Sequence, residues 1–386
     1  MNSIRRDIRS FDFILLILVI SLSAFGVLMI GSATGLGNSN VSPVFINQLI
    51  FMATGIGILF VCAFVNYEFI SKFFIPIYII NIVLLVIVLF MPDQRGVARW
   101  IGIDIGGFEF GIQPSEFTKI FMIIFLAKLI DKYKENINNI LVVGLVLVST
   151  AVPVALIFLQ PSLSASTVTI VIMLTLLYCA KISYKYVVVS TLIILPAILF
   201  FYIDLHAENP ILLGDLLEPW QRERIWSFLY PDAGETWQND RALEALSSGL
   251  LTGRGLFNNQ IFIPEFTNDF LFSVIGAEFG FIGSIIVMAV VLIITLRCFV
   301  IANRSEVFLG RLIAIGVGTT IAFQAFTNIA VNAFLLPNTG INFPFISSGG
   351  SSMWVFMAMI GLVLNVGMTR EYSMFENMGS SYINEK

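Results

Sequence analysis

The chain has 386 residues, 58% of them hydrophobic and only 12% charged, and its 21 Lys+Arg against 25 Asp+Glu leave a net charge of −4. A soluble domain carries about 25% charged residues, so the composition excludes a water-soluble globular protein and suits a chain that lipid solvates. The slightly acidic balance gives no footing for a nucleic-acid partner.

A helix needs about 20 apolar residues to cross a bilayer. The chain offers ten such runs in order: 11–33, 44–65, 69–91, 115–131, 140–159, 163–180, 186–204, 270–296, 307–335 and 351–367. The first follows Arg5, Arg6 and Arg9 and lacks an Ala-x-Ala-type cleavage site, so it reads as a retained span rather than a signal peptide. Pro76, Pro153 and Pro196 fall inside runs and predict kinks. Lys and Arg gather on alternate loops, at Arg5, Arg6, Arg9, Lys72, Lys128, Lys132, Lys134, Lys181, Lys185, Arg297, Arg304, Arg311 and Arg370, whereas loops 34–43, 160–162 and 337–350 have none. The positive-inside rule then puts both termini in the cytoplasm and loops 92–114 and 205–269 outside.

The expected architecture is an all-α integral membrane protein of about ten transmembrane helices, a single membrane domain over 1–386, with a large extracellular loop, 205–269, between spans 7 and 8. That loop carries Trp220, Trp226 and Trp237 and a short helical stretch from about Arg241 to Ser248, which Asp240 can cap and Gly249 can end. A loop this long is unusual unless functional, so function should face outward. Cys62, Cys179 and Cys298 sit in or beside apolar runs and imply no disulfide framework. The single histidine, His206, argues against a His-built metal site or a Ser-His triad.

Four clusters carry chemistry-bearing side chains. The first holds Arg95, Arg99 and Trp100, then Gln113-Pro114-Ser115-Glu116 and Lys119. Pro114 suits a first helical position, and Glu116 lies in the first turn where the helix dipole favours an acid. Glu116 and Lys119 share a face. These residues admit two readings: a capped helix with an ion pair and a snorkelling lysine, or an anion site fed by Arg95, Arg99 and Lys119. The second cluster, Pro264-Glu265-Phe266-Thr267-Asn268-Asp269, places Asp269 where the outer loop meets an apolar helix. Asp269 could be a plain N-cap, or, partly buried against Phe270 and Phe272, a general base. Glu278, inside the same run, is a functional or pairing candidate. The third, Gln324, Asn328 and Asn332, is a polar stripe of the kind that joins helices in membranes. The fourth runs from Pro337 to Ser352, where Gly349-Gly350-Ser351 could present backbone N–H groups to an anion or form a re-entrant turn.

Together, and in this order, the motifs resemble the SEDS family of bacterial membrane proteins, which includes RodA, FtsW and SpoVE. Residues 95–119 resemble "KGAxRW…QPSExxK", 219–231 "YQxxRxxxFLxP", 264–283 "PExHTDFIFxxxxEExGxxG", and 324–352 "QxxxNi…PxTGixLPFxSYGGSS". The Pro-x-Thr-Gly-Ile form of the last is closer to RodA than to FtsW. Three positions depart: Ser162 stands where the family has Asp, Asn268 replaces the His of "HTDF", and Ser348 replaces the Tyr of "SYGGSS".

The resemblance implies a peptidoglycan glycosyltransferase that polymerises lipid II, an undecaprenyl-diphosphate-linked disaccharide peptide, outside the membrane beside a class B penicillin-binding protein. It implies Asp269 as the catalytic residue. Arg95, Arg99, Trp100, Gln113, Glu116, Lys119, Arg222, Arg224, Glu265 and Ser351 are the expected substrate-binding residues. Expulsion of a lipid-linked pyrophosphate calls for fixed positive charge, which Arg95, Arg99, Lys119, Arg222 and Arg224 could supply. A divalent cation bridging Asp269 or Glu116 to the pyrophosphate is compatible with the residues, but no residue pattern demands it. The alternatives are a flippase of lipid-linked precursors and a non-catalytic scaffold for the penicillin-binding protein.

Overall fold

The computed structural model describes residues 3–6, 8–35, 41–91, 99–105, 108–160, 162–186, 188, 192, 196, 219–230, 237–258 and 266–372. Short polar residues start several of its helices. Asp12 accepts from Leu15 N at 2.9 Å and opens α1 (Phe13–Ala33). Ser42, followed by Pro43, opens α2 (Pro43–Phe64), and Asn66 opens the short α3 (Tyr67–Lys72). Each satisfies an N–H that the helix itself cannot.

Residues 69–91, expected as one span, are not a single helix. The helix is broken at Phe73, so that only α4 (Phe74–Leu89) continues across. Beyond it, residues 101–112 form an antiparallel hairpin, β2 (Ile101–Ile105) and β3 (Phe108–Ile112), with Ile101 opposite Ile112. Next come α5 (Pro114–Lys132), α6 (Ile140–Leu159) and α7 (Leu163–Cys179), close to the predicted runs. The seventh run, 186–204, lies almost wholly outside the described residues.

The outer loop contributes α8 (Pro219–Leu229) and α9 (Trp237–Ser248). The second starts earlier than Arg241, and Asp240 sits in its first turn rather than capping it. Three long helices finish the bundle: α10 (Leu271–Arg304), α11 (Phe308–Asn332) and α12 (Gly350–Met368). Helix α12 is buried along nearly its whole length, whereas α2 presents Ile50, Val61 and Phe64 outward, as a lipid-facing surface should. A terminal strand β1 (Ser3–Arg6) pairs with β4 (Thr369–Tyr372), so the chain enters α1 and leaves α12 at the same face. Arg297 of α10 meets Asp12 at 2.8 Å, and Ser32 of α1 meets Glu278 of α10 at 2.5 Å, which fixes these two helices as antiparallel neighbours. Glu278 is thus a pairing residue between spans.

Pro76 and Pro153 both lie within continuous helices. Pro76 lies in the first turn of α4, where a proline needs no kink. Pro153 stays inside an unbroken α6, and the Ser149 carbonyl that it frees accepts from the Tyr78 hydroxyl at 3.0 Å. The sharp break occurs instead at Gly280 of α10, at φ 67° and ψ −163°. There the segment after α9 docks backbone to backbone. Arg254 and Gly255 N–H groups donate to the Ala277 and Glu278 carbonyls, and Phe281 and Ile282 N–H groups donate to Leu250 and Leu251. These bonds satisfy backbone groups on both sides of the break.

This approach leaves no room for side chains. A Cβ on Gly253, itself at φ +81°, would stand 2.1 Å from the Glu278 carbonyl oxygen. Gly253→Ala is expected to lower stability by about 1–3 kcal/mol or more and to detach this loop from α10, read as a lower detergent melting temperature and faster proteolysis after Arg254.

Candidate functional site

The hairpin solves a spacing problem. Arg99-Trp100 and Gln113-Pro114 are far apart in sequence, but pairing of Ile101 with Ile112 brings the two ends together at the start of α5. Trp100 packs its ring on Gly111, where a Cβ would stand 2.8 Å from Cε3. Arg99 Nε donates to the Gln160 carbonyl at 2.9 Å, which ties the hairpin to the end of α6. Gln113 N–H donates to Ser351 Oγ at 3.0 Å, and Ser351 Oγ donates to the Gly111 carbonyl at 3.3 Å. The Ser351 hydroxyl is therefore a clamp between α12 and the hairpin. Gly349 N–H is taken by Gln48 Oε1 at 3.0 Å and Ser348 N–H by the Thr267 carbonyl at 2.8 Å, which ties this turn to α2 and to the segment before α10.

Below the hairpin, Lys119 is fully buried and does not snorkel. Its Nζ lies 2.7 Å from Glu116 Oε2, 3.2 Å from Gln324 Oε1 and 5.4 Å from the centroid of the Phe356 ring. A charge in an apolar bundle needs such company. These groups floor a cavity of about 40 Å³, lined also by Arg99, Gln113, Ser162, Ser164, Gly340 and Asn342. That volume holds water and not a sugar ring. The half-buried groups around it, Arg99, Gln113 and Gly340, are reachable from outside, whereas the buried Glu116–Lys119 pair is not.

Asp269 stands just before α10, half-buried. Its backbone carbonyl accepts from Asn328 Nδ2 at 2.8 Å and from Asn332 Nδ2 at 2.9 Å. Asn332 Oδ1 in turn accepts from Ser273 N–H and Oγ at 3.0 and 2.7 Å. The polar stripe on α11 thus joins helices as expected, and it does so by gripping the peptide that carries Asp269. Gly340 lies between the acid and a base. A Cβ there would be 3.6 Å from Asp269 Oδ2 and 3.8 Å from Arg224 Nη1. Arg224, on α8, donates to the Asn338 carbonyl at 3.4 Å.

The three charges feel one another. Burial pulls Arg99 below the ordinary arginine value, Arg224 adds to that, and Asp269 opposes it. Arg224 is lowered by burial in the same way and supported by Asp269. Two desolvated guanidiniums beside one carboxylate leave an excess of positive charge, the electrostatic setting for a group that develops negative charge on leaving.

Of the residues singled out from sequence, Asp269, Arg99, Arg224, Gln113, Glu116 and Lys119 gather around Gly340 and the cavity. Trp100 and Ser351 support the hairpin from behind. Arg95 and Glu265 lie outside the described residues, and the Arg222 side chain is likewise not described. The Gln160 and Asn338 carbonyls that hold the two arginines, and the Asn328–Asn332 grip on Asp269, escaped the sequence reading. Among the described residues, no group of three or more His, Cys, Asp or Glu side chains converges to hold a metal ion.

The sequence profile shared by FtsW, RodA and SpoVE, described as cell cycle proteins, matches residues 13–372. The chain belongs to the FtsW/RodA/SpoVE family. A probable peptidoglycan glycosyltransferase FtsW of Trichlorobacter lovleyi is 30% identical over 372 residues, covering 92% of this chain and 93% of its own length. Stage V sporulation protein E of Bacillus subtilis is 30% identical over 378 residues, covering 94% and 98%. Among solved structures, one from a peptidoglycan synthase complex superposes with a TM-score of 0.76 at 23% identity, covering 92% of this chain and 97% of the other. Rod shape determining protein RodA of Thermus thermophilus superposes with a TM-score of 0.65 at 24% identity, covering 92% and 96%. This FtsW/RodA/SpoVE protein is accordingly a multi-pass protein of the cytoplasmic membrane. Its relatives carry FtsW and SpoVE names beside a RodA fold, so the Pro337-x-Thr339 motif alone does not assign it to the RodA branch.

Proposed function

We propose that the chain is a peptidoglycan glycosyltransferase that polymerises lipid II on the outer face of the membrane, working beside a class B penicillin-binding transpeptidase. The observation that carries this reading is the convergence of Asp269, Arg224 and Arg99 around Gly340 at the extracellular ends of the spans. In the reaction, Asp269 takes the proton of an acceptor sugar hydroxyl. The hydroxyl oxygen forms a bond to the anomeric carbon of the donor, and the bond from that carbon to the lipid-linked pyrophosphate breaks. The pyrophosphate leaves with the electron pair, held by Arg99 and Arg224. The names of the FtsW relatives support the same activity.

A flippase would place its charged groups along a path through the membrane midplane. Here Asp269, Arg99 and Arg224 gather at the outer end of the bundle. The test is polymer formation from lipid II by the purified chain, with and without a transpeptidase partner, read on a glycan gel. Labelled precursor crossing the bilayer without polymer would favour the flippase. No polymer even with the partner would favour a scaffold.

The Asn328–Asn332 pair makes a separate prediction. Asn332→Ala strips one donor from the Asp269 carbonyl and the acceptor from Ser273, at a cost of about 1–3 kcal/mol. Polymerisation is expected to fall by about tenfold through kcat rather than KM, because the acid moves while the arginines stay. A change confined to KM would show that the pair serves binding instead.

A further inference from the structure

At the opposite, cytoplasmic end of the bundle, where α1 begins and α10 and α12 end, lies a cavity of about 570 Å³. Its charged lining is Arg9, Arg297 and Arg304 with Asp12 and Glu306, and Ile301 and Val366 give it an apolar wall. We infer that this cavity binds a phosphate-bearing anion at the inner membrane surface, either the headgroup of an acidic phospholipid or a free phosphate compound.

The volume is in the range of small-ligand pockets, about 300–1,000 Å³. The charge inside is unevenly spent. Asp12 Oδ1 already accepts from Leu15 N–H at 2.9 Å and from Arg297 Nη2 at 2.8 Å, so that acid is consumed by the start of α1 and one guanidinium. Arg297 has a buried Nε with no hydrogen-bond acceptor. Arg304 is exposed at the cavity. A planar guanidinium with open donors matches phosphate oxygens in a fork, which a lysine cannot reproduce. The positive-inside rule explains why arginines stand at this end. It does not explain why three of them surround one cavity, or why one keeps an orphaned donor. The N-terminus of α1 and the last turns of α10 and α12 come together at this end of the bundle. The inner leaflet carries acidic lipids and draws basic groups to its surface.

The experiment uses the full chain in an uncharged detergent. Dioctanoyl phosphatidylglycerol, dioctanoyl phosphatidylcholine and inorganic phosphate are added in turn. Bound lipid is counted by native mass spectrometry, and phosphate binding is followed by thermal unfolding. Saturable retention of phosphatidylglycerol over phosphatidylcholine, weakened by on the order of tenfold in Arg304→Ala, is the expected result and identifies a lipid source. Stabilisation by phosphate without lipid retention, lost in the same variant, also supports the site and identifies a free phosphate compound. Arg297→Lys keeps a charge beside Asp12 while removing the fork, and it should weaken binding in a protein that still folds. Equal retention of both lipids with no phosphate effect would overturn the inference. So would an equal loss in Lys132→Ala, a basic residue of another inner loop, because that would reduce the binding to general surface charge.

Discussion

Replacing Asp269 by alanine is expected to lower polymer formation by about 10²-fold or more, the usual contribution of a general base. The melting temperature should stay close to that of the unaltered protein, because Asn328 and Asn332 hold the peptide carbonyl whatever side chain is present. A stability change within about 1 kcal/mol is consistent with losing a half-buried charge that faces two arginines. Asp269→Asn preserves shape and should be nearly as damaging, since an amide cannot accept the proton. The readout is glycan length and amount on a gel from lipid II, with the transpeptidase partner present so that a missing partner is not mistaken for a dead site. Full polymer from a well-folded Asp269→Ala protein would remove the acid from the chemistry and return the chain to a transport or scaffold role.

The spans are legible in the sequence because lipid imposes a length and a polarity on every crossing. The borders of α2, α5, α6 and α12 fall within a residue or two of the apolar runs. The break at Gly280 was hidden for the same reason. A glycine in an apolar run looks tolerable until the partner that docks on the broken backbone, residues 250–255, is known. The site was legible as residue types in order, but not as geometry. The arginines are held by the backbone carbonyls of Gln160 and Asn338, and a carbonyl has no side-chain signature. The hairpin at 101–112 likewise left no clear alternation, though it decides that Arg99 and Gln113 stand together. From sequence, Lys119 is either a snorkelling lysine at a helix lip or part of an anion site. Its partner across the bundle, Gln324, lies 205 residues away, and only folding brings the two together.

That buried lysine leads to the second large effect. Glu116 and Lys119 are an ion pair on one helix face with the lysine shut off from solvent. Removing either charge strands the other in an apolar bundle, which typically costs about 3–5 kcal/mol. Glu116→Gln and Lys119→Met should therefore each lower the melting temperature sharply and, by loosening the first turn of α5, displace Gln113 from Ser351 and Arg99 from the cavity. The double variant Glu116→Gln/Lys119→Met leaves no stranded charge and should recover much of the lost stability. It should also recover polymer formation, because the pair lies beneath the reachable groups and supports them. A double variant as unstable as the single ones would show that the cost comes from packing around Phe356 and Gln324 rather than from charge. A stable but inactive double variant would mean that these charges reach the pyrophosphate, and that the cavity opens further when substrate binds than its 40 Å³ allows here.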